Sequence, residues 1–142
     1  GSMPENSYGF IYQVTHIPTA RKYIGKKVLF FERNKRLGKK ALEALKEERK
    51  AKGLKGRTPL KQKIVTESDW KTYYGSHKEI LELIKEGKQE DFKREVLQYV
   101  PSKKLLTYYE CKYLFIKEAL ENRDGYINDN ILGKFYRKDF DL

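Results

Sequence analysis

Two tyrosines eleven positions apart, Tyr12 and Tyr23, lie close to Gly25-Lys26-Lys27 near the N-terminus and are the residues best suited to chemistry in this chain. A phenol accepts a proton only as its phenolate, and with an ordinary pKa near 10 it needs cations or a metal close by to ionise at neutral pH. Lys26 and Lys27 follow Tyr23 closely, and Arg33 lies ten residues beyond it. Hydrolysis of a phosphodiester calls for such a base, for cations facing the charge that develops, and usually for a divalent ion on a phosphate oxygen. Glu110 is the candidate to hold that ion. At the helical repeat it lies roughly 80° from the centre of the apolar stripe Leu106, Tyr109, Tyr113, Ile116 and Leu120, so it is expected at the edge of a core-facing helix. One carboxylate is enough for Mg²⁺, which keeps several waters and takes other ligands from substrate phosphate.

Each of these residues also has a plainer reading: strand aromatics for the tyrosines, a boundary ion pair for Glu110. No aspartate or histidine cluster offers a metal cage or a conventional base. His16 falls in a turn and His77 at a helix start, far apart in sequence. Cys111 stands alone, which excludes a disulfide framework and a thiolate zinc site and fits a reducing compartment. No apolar run approaches the roughly 20 residues of a membrane helix, and no secretion signal is visible, so a soluble, cytoplasmic, non-secreted protein is expected. Gly1-Ser2-Met3 reads as an expression-tag remnant.

Charge narrows the partner. The chain carries +11, and the stretch 33–63 alone holds thirteen Lys or Arg against Glu43, Glu47 and Glu48, a net +10. So concentrated a basic block points to a phosphate-rich polymer, because each neutralised phosphate releases counterions. Arg36, Lys39, Lys40, Lys46, Arg49, Lys50 and Arg57, with Lys27 just upstream, are the candidates to grip it. Few bulky apolar anchors accompany them, which argues against a membrane surface.

The elements that must position these residues read β-β-α-α-β-α. Residues 9–15 put Phe10, Tyr12 and Val14 on one face at period two, and 22–30 form a second strand after the Pro18 turn. Residues 32–52, rich in Lys, Glu, Ala and Leu, read as a helix with a break at Gly38, and 53–66 as a basic linker. Ser76 with Glu79 forms an S-x-x-E capping box that opens a helix through Ile84. Residues 92–100 are the third strand, with Phe92, Val96 and Val100 on one face. A long helix from Ser102 to about Asn122 and a short tail, 126–135, complete a single domain, 4–142, with a basic helical insertion at about 33–66.

Phe10-Ile11-Tyr12 and Tyr23-Ile24-Gly25-Lys26 together resemble the paired signature of the GIY-YIG nucleases, with Phe10 in place of the first glycine and Gly9 one step early. The chain looks closest to small phage-type members, whose basic stretch leads to a Trp-x-x-Tyr-x-Gly-Ser element, here Trp70 to Ser76. The resemblance implies an α+β fold with a three-stranded, mainly antiparallel sheet flanked by helices, and a metal-dependent DNA endonuclease using one Mg²⁺ or Mn²⁺. It implies Tyr12 and Tyr23 jointly as the source of the base, Lys26 and Arg33 as charge stabilisers, Glu110 as metal ligand, and Asn128 or Asn130 as substrate-positioning residues. Members often place His or Tyr one turn after the arginine. Leu37 occupies that position, so His77 or Tyr74 is the candidate replacement. A non-catalytic nucleic-acid-binding module is the alternative, with a protein-binding scaffold behind it. No second DNA-reading domain is recognisable, which leaves sequence preference to this domain, a homodimer or a targeting partner.

Overall fold

A computed structural model describes residues 3–140, so Gly1 and Ser2 of the expected tag remnant, and the last two residues, lie outside the described residues. In chain order the elements are β1 Gly9–His16, β2 Arg21–Val28, β3 Phe30–Arg36, α1 Lys39–Ala51, β4 Lys61–Glu67, α2 Lys78–Lys85, β5 Phe92–Val100, α3 Lys103–Ile116, β6 Asn130–Ile131 and β7 Phe135–Tyr136. They divide into two compact units, one of residues 1–29 with 68–142 and one of residues 30–67.

The larger unit is built on the antiparallel sheet β2-β1-β5. This is the α+β, three-stranded fold that the sequence implies. Alternation along β1 sorts its side chains onto two faces. Phe10, Tyr12 and Val14 join one core cluster with Leu29, Ile80 of α2, Phe92 and Ile127. Ile11 joins the other, with Ile24, Val100, and Leu106 and Leu114 of α3. Helix α3 thus covers one face, while α2 and the aromatic segment around Trp70 cover the other.

β5 spans the residues expected, but its faces do not run through at period two. Ile11 pairs with Gln98 and Tyr12 with Val96, which leaves Leu97 as the extra residue of a bulge. The bulge exchanges faces. Phe92 packs with the Tyr12 cluster, Val100 with the Ile11 cluster, and Val96 is exposed. Helix α3 also departs from expectation. It ends at Ile116, not near Asn122, because Glu118 adopts φ +52° and the Ala119 N–H returns to the Leu114 carbonyl at 3.0 Å. That reversal buries Ala119 and Leu120 and leaves Ile116 exposed.

The tail then fastens the outer edge of β2. Lys22 donates to the Gly125 carbonyl at 2.9 Å, and the Ile127 N–H donates to the Lys22 carbonyl at 2.7 Å. Arg137 holds this return in place by donating to the carbonyls of Ala119, Leu120 and Tyr126.

The smaller unit corrects the helix expected over 32–52 and the linker expected over 53–66. Its helix begins only at Lys39, with Gly38 as N-cap. Residues 30–36 are a strand, paired antiparallel with 61–67 from Phe30↔Glu67 to Arg36↔Lys61. Local composition favours helix over 32–38, and the long-range partner strand overrides it.

Candidate active site

Register decides which motif residues share a face. Tyr12 pairs with Gly25 and Ile11 with Lys26, so Tyr23, Gly25 and Lys27 lie on the Tyr12 face while Ile24 and Lys26 lie on the α3 face. Because β2 is an edge strand, a cleft along its outer side is reached from both faces. A cleft of about 810 Å³ occupies that place, lined by Tyr23, Lys26, His77, Glu110, Asn128 and Asp129 among others.

The glycine that ends the second motif half has a steric cause. The ring of Tyr12 lies across its partner Gly25, where an added Cβ would stand 2.6 Å from Cζ and closer still to Oη. Gly75, at φ +114°, brings the backbone of the next segment onto both phenols, 3.1 Å from Tyr12 Oη and from Tyr23 Cε1 measured to the Cβ it lacks. Phe10, in the place of the first motif glycine, is wholly buried against Tyr12, Trp70 and Tyr99.

The two tyrosines are not equivalent. Tyr12 is 1% exposed and meets the Tyr73 ring edge-on at 6.0 Å. Burial pushes its pKa far above the ordinary phenol value, with Tyr23, Tyr73 and Glu110 adding to the effect and Arg94 opposing it. Tyr23 lines the cleft. Its pKa is pushed up to about 12, first by burial, and also by the charges of Glu110 and Asp129, against a hydrogen bond with the Ser76 hydroxyl that favours the phenolate.

Glu110 sits between Leu106 and Leu114 on one i, i+4 line of α3, both of them buried. It is therefore central to the sheet-facing stripe and not at its edge, as the wider stripe including Ile116 had implied. Desolvation raises its pKa, and the ammonium and backbone N–H of Lys26 oppose that rise. Lys26 is steered by a 3.0 Å hydrogen bond from Nζ to Thr107 Oγ1, one turn before Glu110. The phenols, the lysine and the carboxylate from the far end of the chain thus share one electrostatic neighbourhood.

His77 is on the cleft wall. It, and not Ser76, is the N-cap of α2: Nδ1 accepts from the Glu79 N–H at 3.2 Å. The expected capping box does not form, because the imidazole fills the role one residue later and the Ser76 hydroxyl is left for Tyr23. On its other side His77 Nε2 lies 3.6 Å from Asp129 Oδ2, and its ring stands 5.7 Å from that of Tyr23. Asn128 is buried and spends both ends of its amide on β2, accepting from the Ile24 N–H at 2.9 Å and donating to the Ile24 carbonyl at 2.8 Å. Asn130 donates to Asp129 Oδ1 at 2.7 Å and accepts from the Gly133 N–H at 3.0 Å.

Two further sequence candidates belong to the larger unit. Tyr74 packs into the Tyr12 cluster. Lys27 places its ammonium 3.9 Å from the centroid of Tyr73 and 2.6 Å from Asp69, with only 11% of its side chain exposed. Arg33 pairs across β3–β4 with Ile64, Arg36 pairs with Lys61, and Lys39, Lys40, Lys46, Arg49 and Lys50 lie on α1, with Arg57 in the loop after it, all within the smaller unit.

Three residues went unrecognised in the sequence. Ser76 was absorbed into the capping box, and Asp129 carried no spacing signal. Arg94 had one: it shares an inward face of β5 with Phe92. Its guanidinium donates to the carbonyls of Trp70 and Tyr73, the latter at 2.8 Å, and so holds the aromatic segment over Tyr12.

Among the described residues no group of three or more His, Cys, Asp or Glu could cage a metal, and no helix is long and apolar enough to cross a membrane. A family model described as "Putative endonuclease segE, GIY-YIG domain" matches residues 1–131. Neither the curated proteins nor the solved structures give a match. A family match over nearly the whole chain, on a sheet whose adjacent strands β1 and β2 carry the two halves of the paired signature, makes this chain a member of the GIY-YIG nuclease superfamily with an endonuclease domain of the segE type.

Proposed function

We propose that the protein is a metal-dependent endonuclease that hydrolyses phosphodiester bonds of DNA in the cleft beside β2. The observation that carries this reading is the shared neighbourhood of Tyr23, Lys26 and Glu110, drawn from the two ends of the chain. The donor set fits Mg²⁺ or Mn²⁺ held by Glu110, water and substrate phosphate, and does not fit a zinc cage. When bound, such an ion supplies positive charge at the leaving oxygen.

The chain's own residues do the rest. Tyr23 Oη, the phenol that lines the cleft, takes the proton of the attacking water, and the Ser76 hydroxyl steadies the phenolate. Tyr12 sits behind it as a positioning group. Glu110, once it shares its charge with a cation, no longer opposes ionisation of Tyr23. Lys26, anchored on Thr107, faces the charge that builds on the phosphorane, a role worth about 3 kcal/mol. Asp129 orients His77 beside Tyr23. Arg33 enters this proposal through the motif spacing alone.

Supercoiled plasmid incubated with the protein tests the reading. Nicking is expected with Mg²⁺ or Mn²⁺ and not in EDTA. Glu110→Gln should abolish it, and Tyr23→Phe should lower the rate by about 10²-fold or more, with a smaller loss for Tyr12→Phe. With Tyr23 held near 12, the rate should climb with pH through the neutral range, since the phenolate fraction rises tenfold per pH unit below the pKa. Full nicking by Glu110→Gln, or cleavage in EDTA, would overturn the metal assignment.

A further inference from the structure

Residues 30–67 leave the nuclease fold and return to it at one point. The carbonyl of Leu29 accepts from the Ser68 N–H at 2.9 Å, and Ser68 Oγ donates to the Val28 carbonyl at 2.6 Å. Between those anchors stands a β-ribbon with a helix in which no residue is buried. A unit without sealed apolar side chains has little of the burial that ordinarily offsets chain entropy. Its charge is as lopsided as its burial. Residues 30–67 hold 13 Lys or Arg against 5 Asp or Glu, a net +8, whereas the rest of the chain holds 18 against 15, a net +3.

The ribbon itself carries a conflict. Arg36 stands directly across from Lys61, and on the same face the next pair is Asn34 with Lys63. Like charges opposed in a ladder are destabilising, and this ribbon has no core to compensate. Among the described residues, Lys63 alone of these four reaches a carboxylate, Glu32, at 3.3 Å. An anionic partner against that face removes the conflict and supplies the missing burial. Its shape follows from the ribbon's width. Two strands about 4.8 Å apart with their side chains fill the roughly 12 Å major groove of B-form DNA, but not its roughly 6 Å minor groove or the deep, narrow major groove of duplex RNA. Asn and Arg are also the residue types that read adenine and guanine edges by paired hydrogen bonds.

We infer that residues 30–67 form a DNA-reading arm whose β3–β4 ribbon presents Asn34, Arg36, Lys61 and Lys63 to the major groove of the duplex that the cleft cuts. This rests on the reading of the chain as a DNA endonuclease and adds how the duplex is recognised.

The test uses the full chain in EDTA with a short duplex DNA, so binding is read without cleavage. Arg36→Gln with Lys61→Gln should weaken binding at least about tenfold and lower the slope of log K against log salt by about 2. Lys61→Glu, which places a carboxylate opposite Arg36, should leave thermal melting unchanged or higher while also losing affinity, which separates recognition from folding. Methyl green, a major-groove ligand, should displace the wild-type protein and distamycin should not. Affinity for duplex RNA should be weaker and indifferent to both variants. Unchanged salt slope in the double variant, displacement by distamycin, or equal losses on RNA would each overturn the arm. An unchanged slope with ion-dependent plasmid nicking intact sinks the arm and spares the nuclease reading. Absent nicking with the slope lowered does the reverse.

Discussion

β1 and β3 are strands of similar length that differ in almost every physical respect. In β1 the residues from Gly9 to Tyr12 are all buried, and the sheet around it is sealed on both faces. In β3 every residue is exposed, and its register rests on a ladder with β4. Each strand carries a residue that the motif spacing brings forward: Tyr12 in one, Arg33 in the other. The difference teaches that the larger unit holds its groups by packing, where a single atom matters, whereas the smaller unit holds its groups by backbone pairing and tolerates change. Substitutions should therefore have opposite consequences in the two units.

The largest effect is expected at Gly25. Gly25→Ala puts a methyl group into the space of the Tyr12 ring, which Phe10, Tyr23 and Tyr73 prevent from moving aside. Overpacking of this kind costs about 1–3 kcal/mol, and more where the neighbour cannot yield. Thermal melting should show a loss at the upper end of that range, with nicking lost as well. A melting temperature equal to wild type would mean that Tyr12 is not locked and that packing does not hold the motif together.

Asn128→Ala comes next. It strands the Ile24 N–H and carbonyl in a buried edge, at about 1–3 kcal/mol for each unsatisfied group before relaxation. A total of about 2–4 kcal/mol is expected in denaturant unfolding. The sequence could name Asn128 but not this work, since the motif alone assigns it to substrate. A rate loss with unchanged stability would return Asn128 to that role.

Such differences mark what could be read in advance. The period-two pattern of Phe10, Tyr12 and Val14 and the span of β5 are local signals, and both are found as read. The Leu97 bulge, which moves Val100 to the other face, depends on pairing with β1 and has no local signature. The same holds for residues 30–36 and 61–67, whose helical or loop-like composition yields to a partner 25 or more residues away. At the site, residue types and spacing brought Tyr23, Lys26, His77 and Glu110 forward. Ser76, Asp129 and Arg94 act through the backbone or through a second side chain, and only coordinates reveal such ties.

Glu110 allows a finer comparison, because it is a carboxylate kept where burial disfavours its charge. Its folded-state pKa is raised, so the folded protein binds the proton more tightly than the unfolded chain does. The stabilisation is complete below the unfolded pKa and is lost as pH rises through the folded one. Glu110→Gln should accordingly raise the melting temperature by a few degrees at neutral pH, and the gain should vanish in acid where both side chains are neutral. The same variant should lower the pKa of Tyr23, since one of the charges holding it up is gone. NMR titration of ring-labelled tyrosine reads that shift, and a Tyr23 pKa that failed to fall would break the coupling between carboxylate and phenol.

The smallest effect tests the other side of the comparison. Gly38, the N-cap of α1, has φ −71° and ψ 169°, contributes no side-chain cap, and has nothing within 4 Å of the Cβ it lacks. Gly38→Ser would add a hydroxyl able to accept from the first-turn N–H groups and would narrow the unfolded ensemble, for a gain of about 0.5–1 kcal/mol. Because no side chain of residues 30–67 is buried, that gain should stay local. Amide exchange along α1 should slow by up to about fivefold, while the global melting temperature stays where it was. A matching rise in global melting would mean that α1 opens only together with the sheet, and the division between a packed larger unit and a loosely held smaller one would fail on energetic grounds.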